Sequence, residues 1–168
     1  MKRFTFLAAA AVTLGSLSGA WAANQADQHF ITEAIQGDMA EVQMGQLAQQ
    51  KGQSDAVKSY GQMLVNDHQA DEQKAKQVAN QIGVAPPNEP TAAQKSDYDK
   101  MSKLSGKAFD RRFAVMMVND HRKDIKKFQR EARKSNDPVG QYANEALPTL
   151  KKHLSEAQKL EHNSTASR

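Results

Sequence analysis

The stretch GVAPPNEPTAAQ, Gly83 to Gln94, decides the fold. Gly83 stops whatever precedes it, and Pro86-Pro87 hold the backbone extended. Thr91-Ala-Ala-Gln94 then has the form of a capping box that opens a short helix ending near Leu104. On the N-terminal side, Ser54 caps a helix running to Ile82, and Asn24 caps another that runs to Lys51 and stops at Gly52. On the C-terminal side, a third long helix runs from Gly106 to about Lys134. Asp137-Pro138 follows as a cap with proline at the first helical position, opening a fourth that reaches about Glu161. Pro148 lies inside that last helix and is expected to kink it or divide it in two.

Connector lengths turn this inventory into an architecture. Long helices one and two are joined by about three residues, as are three and four, whereas more than twenty lie between two and three. Short, long, short is the pattern of an all-α, ferritin-like four-helix bundle with one long crossover, here containing a short helix. Eight extended residues span about 25 Å, and a helix of about 13 residues adds about 20 Å. Together they match the length of the second helix, so the crossover returns the chain along the bundle and leaves long helices two and three parallel.

Ala, Gln, Lys, Glu and Met dominate the chain after residue 22, a composition that favours helix over strand. The first 22 residues read differently. Lys2 and Arg3 precede an apolar run from Phe4 to Leu17, and Ala20-Trp21-Ala22 closes it, the layout of a secretory signal peptide cleaved after Ala22. The run is shorter than the roughly 20 residues a spanning helix needs. The expectation is export to the periplasm or cell envelope, with residues 23–168 forming one bundle domain whose core covers about 25–161. Removing Lys2 and Arg3 lowers the net charge from +4 to +2. The chain has no cysteine, which excludes disulfides, thiolate metal sites and CxxCH haem attachment.

Two nearly identical segments lie on the second and third long helices: VNDHQAD at Val65–Asp71 and VNDHRKD at Val118–Asp124. At 100° per residue, His68 and Asp71 fall on the apolar stripe centred on Leu64, with Val57, Tyr60 and Ala75. His121 and Asp124 fall on the stripe of Phe113, Met117 and Phe128, with Asp67 and Asp120 at the margins. On the fourth helix His153 lies near the edge of the stripe that includes Ala146 and Leu150, and Glu156 follows it. His68 and His121 lie about fourteen residues into their helices, and Glu41 and His153 about sixteen, so all belong near one middle layer. Glu41 is placed at the flank of a broad stripe on the first helix. Like-charged aspartates in a core require neutralisation, by a divalent cation or by imidazolium.

The candidate metal ligands are therefore His68, Asp71, His121 and Asp124, with His153 and Glu41 as further members. An imidazole–carboxylate set suits zinc, copper, nickel or iron, and the pattern does not choose among them. Binding requires neutral imidazoles, so affinity is expected to fall as pH drops through the histidine range near about 6.5. The alternative is a metal-free polar network, in which a histidine and the carboxylate three residues on bond across a helical turn. No phosphate-binding glycine loop, nucleophile elbow or zinc-protease motif is present, which argues against conventional hydrolytic or nucleotide chemistry. The catalytic class left is metal-centred redox or oxygen chemistry, set against a non-catalytic structural or stress-related envelope protein.

Several elements together resemble a known family. These are Glu41 with Gly45, Met63-Leu-Val-Asn-Asp-His68, Phe109-Asp110, Met117-Val-Asn-Asp-His121, and Leu147-Pro-Thr-Leu150 before His153-Leu154. They resemble the exported bacterial proteins grouped as domain of unknown function 4142, over about residues 25 to 160. The resemblance implies a ferritin-like fold and a periplasmic or outer-membrane location, and no established reaction. The chain departs from di-iron bundles, which carry Glu-x-x-His where this one carries His-x-x-Asp, so a ferroxidase centre is not expected. Arg122, Lys123, Lys126, Lys127, Arg130, Arg133 and Lys134 project from the outer face of the third long helix. They form either a solvated face or a surface for anionic envelope polymers and lipids. Export argues against nucleic acid as a partner.

Overall fold

The structure, a computed structural model, describes residues 24–134 and 136–166; the expected leader lies outside the described residues. Its elements are α1 (Gln25–Lys51), α2 (Asp55–Gln81), α3 (Ala92–Ser102), α4 (Gly106–Glu131) and α5 (Pro138–Ala166). No strand is present among the described residues. The helix starts follow the expected chemistry. The Asn24 and Ser54 side chains accept from the N–H groups of Asp27 and Val57, and Thr91 and Gln94 form a reciprocal capping box. Asp137 accepts from the Gly140 N–H at 2.6 Å. At the end of α2, Gly83 adopts φ 75°. Its N–H donates to the Asn80 carbonyl and that of Val84 to the Ala79 carbonyl, which satisfies two groups the helix leaves open.

Three boundaries differ from the sequence reading. α4 ends at Glu131 and not Lys134, because the chain turns there and the Lys134 N–H bonds back to the Glu131 carbonyl at 2.9 Å. α5 runs five residues beyond Glu161, to Ala166. Pro148 does not divide α5, which is one helix through it. The proline is exposed, as is Asn144, whose carbonyl loses its helical donor, so water can take that donor's place.

α1 packs along α2 and α4 along α5. α2 also meets α5, α1 meets α4 more sparsely, and α3 lies across α1 and α4. The core is in two parts. One contains Ile31 and Ile35 of α1, Ala75 and Ala79 of α2, Phe128 of α4 and Val139 and Ala143 of α5. The other contains Leu47 of α1, Tyr60 and Leu64 of α2, Phe109 and Phe113 of α4 and Ala157 of α5. The start of α1 thus shares an end of the bundle with the finish of α2, the finish of α4 and the start of α5. This makes α2 and α4 parallel, the arrangement the long crossover was expected to produce.

The α1–α2 pair is set close by two glycines. A Cβ at Gly45 would lie 2.5 Å from the Gly61 carbonyl oxygen, and one at Gly61 would lie 2.6 Å from that of Gly45. Asp110, at the start of α4, accepts from the N–H groups of Gln53 and Ser54 at 2.8 and 2.9 Å. That carboxylate ties the α1–α2 turn to the far half of the chain.

Candidate metal centre

Between the two apolar clusters lies a polar layer. Asp38 and Glu41 of α1, His68 of α2, His121 of α4 and His153 of α5 are each less than a tenth exposed, and His153 is fully buried. Glu41 is therefore in the interior, not at the flank of its helix. A buried polar group without a partner costs free energy, so the partners in this layer carry information. The three imidazoles pack with ring centres 5.1 to 5.9 Å apart. Each offers one nitrogen to the group, these nitrogens lying within 4.8 Å of one another.

The second nitrogen of each ring is occupied. His68 Nδ1 lies 2.8 Å from Asp38 Oδ1, His121 Nδ1 lies 3.0 Å from the Met117 carbonyl oxygen, and His153 Nε2 lies 2.9 Å from Asp67 Oδ2. The His153 backbone carbonyl also accepts from the Tyr60 hydroxyl at 3.1 Å, which anchors α5 at this level. A carbonyl oxygen can only accept, so His121 Nδ1 carries the hydrogen and its Nε2 is a lone pair. Burial pushes the Asp67 carboxyl up, but the His153 hydrogen bond and the Lys152 ammonium outweigh it and hold the group below its ordinary value. Asp67 is thus an ionised acceptor, His153 Nε2 carries its hydrogen, and His153 Nδ1 is a lone pair. Yet His121 Nε2 and His153 Nδ1 face each other at 3.2 Å. Two neutral rings oriented in this way place acceptor against acceptor.

Protonating either ring would relieve that contact, and the surroundings oppose it. Burial pushes His68 down to about 4, His121 to about 3 and His153 to about 4, reinforced for the last two by the neighbouring imidazoles. The carboxyls move the other way. Burial, then the repulsion of nearby carboxylates, raises Asp38 and Glu41 well above their ordinary values, and burial raises Asp124 to about 6. Asp38 Oδ2, Glu41 Oε2 and His68 Nε2 are buried with no hydrogen-bond partner. The layer holds buried polar atoms without partners and lacks positive charge.

The six residues singled out from sequence are not equivalent here. His68, His121 and His153 form the triad. Glu41 lines a cavity of about 40 Å³ together with His68, Asp38 and Asp124. Asp71 is engaged elsewhere, accepting from the Tyr142 hydroxyl at 2.7 Å. No histidine of the triad bonds the carboxylate three residues on, as the polar-network reading expected; each partner comes from another helix or from the backbone. Two residues acting on the triad were not among the six. Asp67 stood at the margin of its stripe, where its helical angle gave no reason to prefer it. Asp38 had no motif, but its i, i+3 relation to Glu41 was a usable signal.

The arrangement defines a helical bundle with a buried three-histidine centre whose outer ring nitrogens are fixed by carboxylates and a carbonyl. The chain belongs to the family described as Domain of unknown function (DUF4142), whose model matches residues 14–160. No curated protein and no solved structure matches the chain.

Proposed function

We propose that this protein is an exported envelope protein that binds a divalent transition-metal ion through His68, His121 and His153. The observation that carries the reading is the pair of facing lone pairs on His121 Nε2 and His153 Nδ1, 3.2 Å apart. Ligands of a tetrahedral ion with bonds of about 2.0–2.1 Å stand about 3.3–3.4 Å from one another. The separation therefore suits two ligands of one ion. Asp38 and Asp67 supply the carboxylate partners that metal-bound imidazoles usually have, fixing tautomer and raising basicity. With a cation at Nε2 of His68, the proton belongs on Nδ1 and Asp38 is its ionised acceptor. An all-imidazole set favours zinc, copper, nickel or iron over magnesium or calcium. Three protein ligands would leave a fourth position for water or substrate, the feature that separates a reactive centre from a closed structural one.

The metal-free network has support in the His68–Asp38, His153–Asp67 and Tyr142–Asp71 hydrogen bonds. It leaves His68 Nε2, Asp38 Oδ2 and Glu41 Oε2 unpaired, however, and a half-satisfied network is worse than an apolar core. Export rests on the basic, apolar and small-residue layout of residues 2–22. Among the described residues no helix is long and apolar enough to cross a membrane.

The test is elemental analysis of protein from its native envelope, with calorimetric titration of the stripped form by zinc. Wild type is expected to bind one ion at micromolar affinity or better and to melt higher with it, and His68→Ala to do neither. Stripped wild type that binds nothing in that range leaves the polar network as the answer.

The same titration carried out against pH has a distinctive expected course. Metal binding needs neutral imidazoles, and ordinary ones would make affinity fall with a slope approaching three protons below about pH 6. Burial has already lowered the three histidines to about 3–4. They are neutral well below pH 6.5, so their protons do not compete there, and the fall expected from sequence near pH 6.5 moves towards pH 4. Any dependence left between about pH 5.5 and 7.5 comes from the raised carboxyls of Asp38, Glu41 and Asp124 as they ionise. A fall centred near about pH 6.5, with no further fall towards about pH 4, would show imidazoles titrating as exposed groups.

A further inference from the structure

We propose that the cleft between α1 and α4 is the cation's passage to the triad, and that Gly37 keeps it open; this rests on the metal-binding reading above. Gly37 lies in the interior of α1, where glycine is destabilising relative to alanine. Packing explains the neighbouring interior glycine, since a Cβ at Gly45 would collide with the Gly61 backbone. It does not explain Gly37, where a Cβ would find nothing within 4 Å. A side chain there would instead project into open space. Gly37 borders both the outer cleft of about 270 Å³ and the inner cavity of about 40 Å³. Glu33, Glu41, Asp124 and Lys127 also border both. Asp97 of α3 and Asp120 of α4 line the outer cleft but not the inner cavity, and Asp38 and His68 line the inner cavity but not the outer cleft.

The chemistry along this path suits a partly hydrated divalent ion. The inner cavity exceeds the 10–15 Å³ that one water needs. An ion moving inward can exchange waters for carboxylate oxygens in steps, first at Asp97 and Asp120, then at Asp124 and Glu41. Glu41 Oε2 and Asp38 Oδ2 are buried and hold no hydrogen bond that the ion would have to break. Borderline metals prefer imidazole nitrogen to carboxylate oxygen, so the last exchange, onto the triad, draws the ion out of the path. The Lys127–Glu33 ion pair, 3.3 Å long, links α4 to α1 where the two cavities join. A wider side chain at position 37 would fill this junction without touching a ligand.

The experiment is stopped-flow uptake of cobalt(II) by the stripped full-length chain, read by its visible absorption, with release into a chelator. Gly37→Leu is expected to slow uptake and release together by at least about tenfold while Kd stays within about threefold. Gly37→Ala should keep both rates within about threefold of wild type. Should Gly37→Leu lack the wild-type helical spectrum, Gly37→Met, whose flexible side chain occupies the same space, replaces it under the same criteria. Wild-type rates in the filled variant overturn the passage and leave the triad standing. Loss of equilibrium affinity in that variant also overturns it, because Gly37 would then shape the binding centre itself. Wild type that takes up no cobalt overturns the passage and the metal reading together.

Discussion

Replacing His121 with leucine is expected to move stability and metal binding in opposite directions. The imidazole is 1% exposed, and its Nε2 meets only another lone pair. Its Nδ1 hydrogen bond to the Met117 carbonyl duplicates an acceptor already within a helix. A buried polar atom left in this state costs about 1–3 kcal/mol, and an apolar side chain of similar volume removes that cost. Stripped His121→Leu should therefore melt a few degrees above stripped wild type, at about 2–4 °C per kcal/mol for a domain of this size. With zinc at about a hundred times its Kd, wild type gains roughly 2.7 kcal/mol and the variant gains nothing. The order of melting is then expected to narrow or invert with metal. Thermal scans of both chains with and without zinc decide it. A metal-free variant that melts several degrees below wild type would mean that the histidine network is a structural asset, and the lone-pair argument would fail.

The largest purely structural effect is expected on α1. Gly45→Val puts a branched side chain where even a Cβ would stand 2.5 Å from the Gly61 carbonyl oxygen and 3.0 Å from Val65. The obstacle is backbone, which cannot rotate away, so α1 and α2 must separate along their length. Overpacking of ordinary cores costs about 1–3 kcal/mol, and a contact with backbone belongs at or beyond the upper end. Loss of about 3 kcal/mol or more, a large part of a domain's stability, should appear as a markedly lower midpoint or as an unfolded chain. Gly37→Ala, on the same helix, is the matched comparison and should stabilise by about 0.5–1 kcal/mol. Denaturant melts of the two variants with equal outcomes would contradict the close helix contact.

The contrast between these glycines shows where sequence reading reaches its limit. Helix ends were legible because their chemistry is local: Ser54, Thr91-Gln94 and Asp137-Pro138 act within four residues of themselves. The topology was legible because Gly83–Pro90 is too long for a hairpin and too rich in proline for a helix. His68 and His121 were legible because helical angle depends only on spacing. The carboxylate partners were not, because they depend on which helix stands opposite. His-x-x-Asp suggested Asp71 as the partner of His68, whereas Asp38, thirty residues earlier, occupies that place. Asp71 meets Tyr142 of α5 instead. Helical angle gives direction from an axis and says nothing of the neighbour in that direction. The lowered histidines were hidden for a related reason: a histidine's ordinary value is a property of the residue, and its lowered value a property of the burial around it.

The polar layer that divides the core has a consequence for how the bundle holds together as a whole. Each end has its own apolar cluster and could retain its order while the other opens. Across the waist the two halves are joined by the continuous backbones of four helices, by Leu154, which packs against both clusters, and by the hydrogen bonds of the polar layer. Cooperativity there rests less on apolar interlock than at either end. The two clusters are therefore expected to behave as two folding units on shared struts, and amide exchange should resolve a separate slowly exchanging set in each. An ion gripped by α2, α4 and α5 would brace the thinnest section, so that neither half could loosen without giving it up. The centre would then govern whether the protein unfolds as one body or as two.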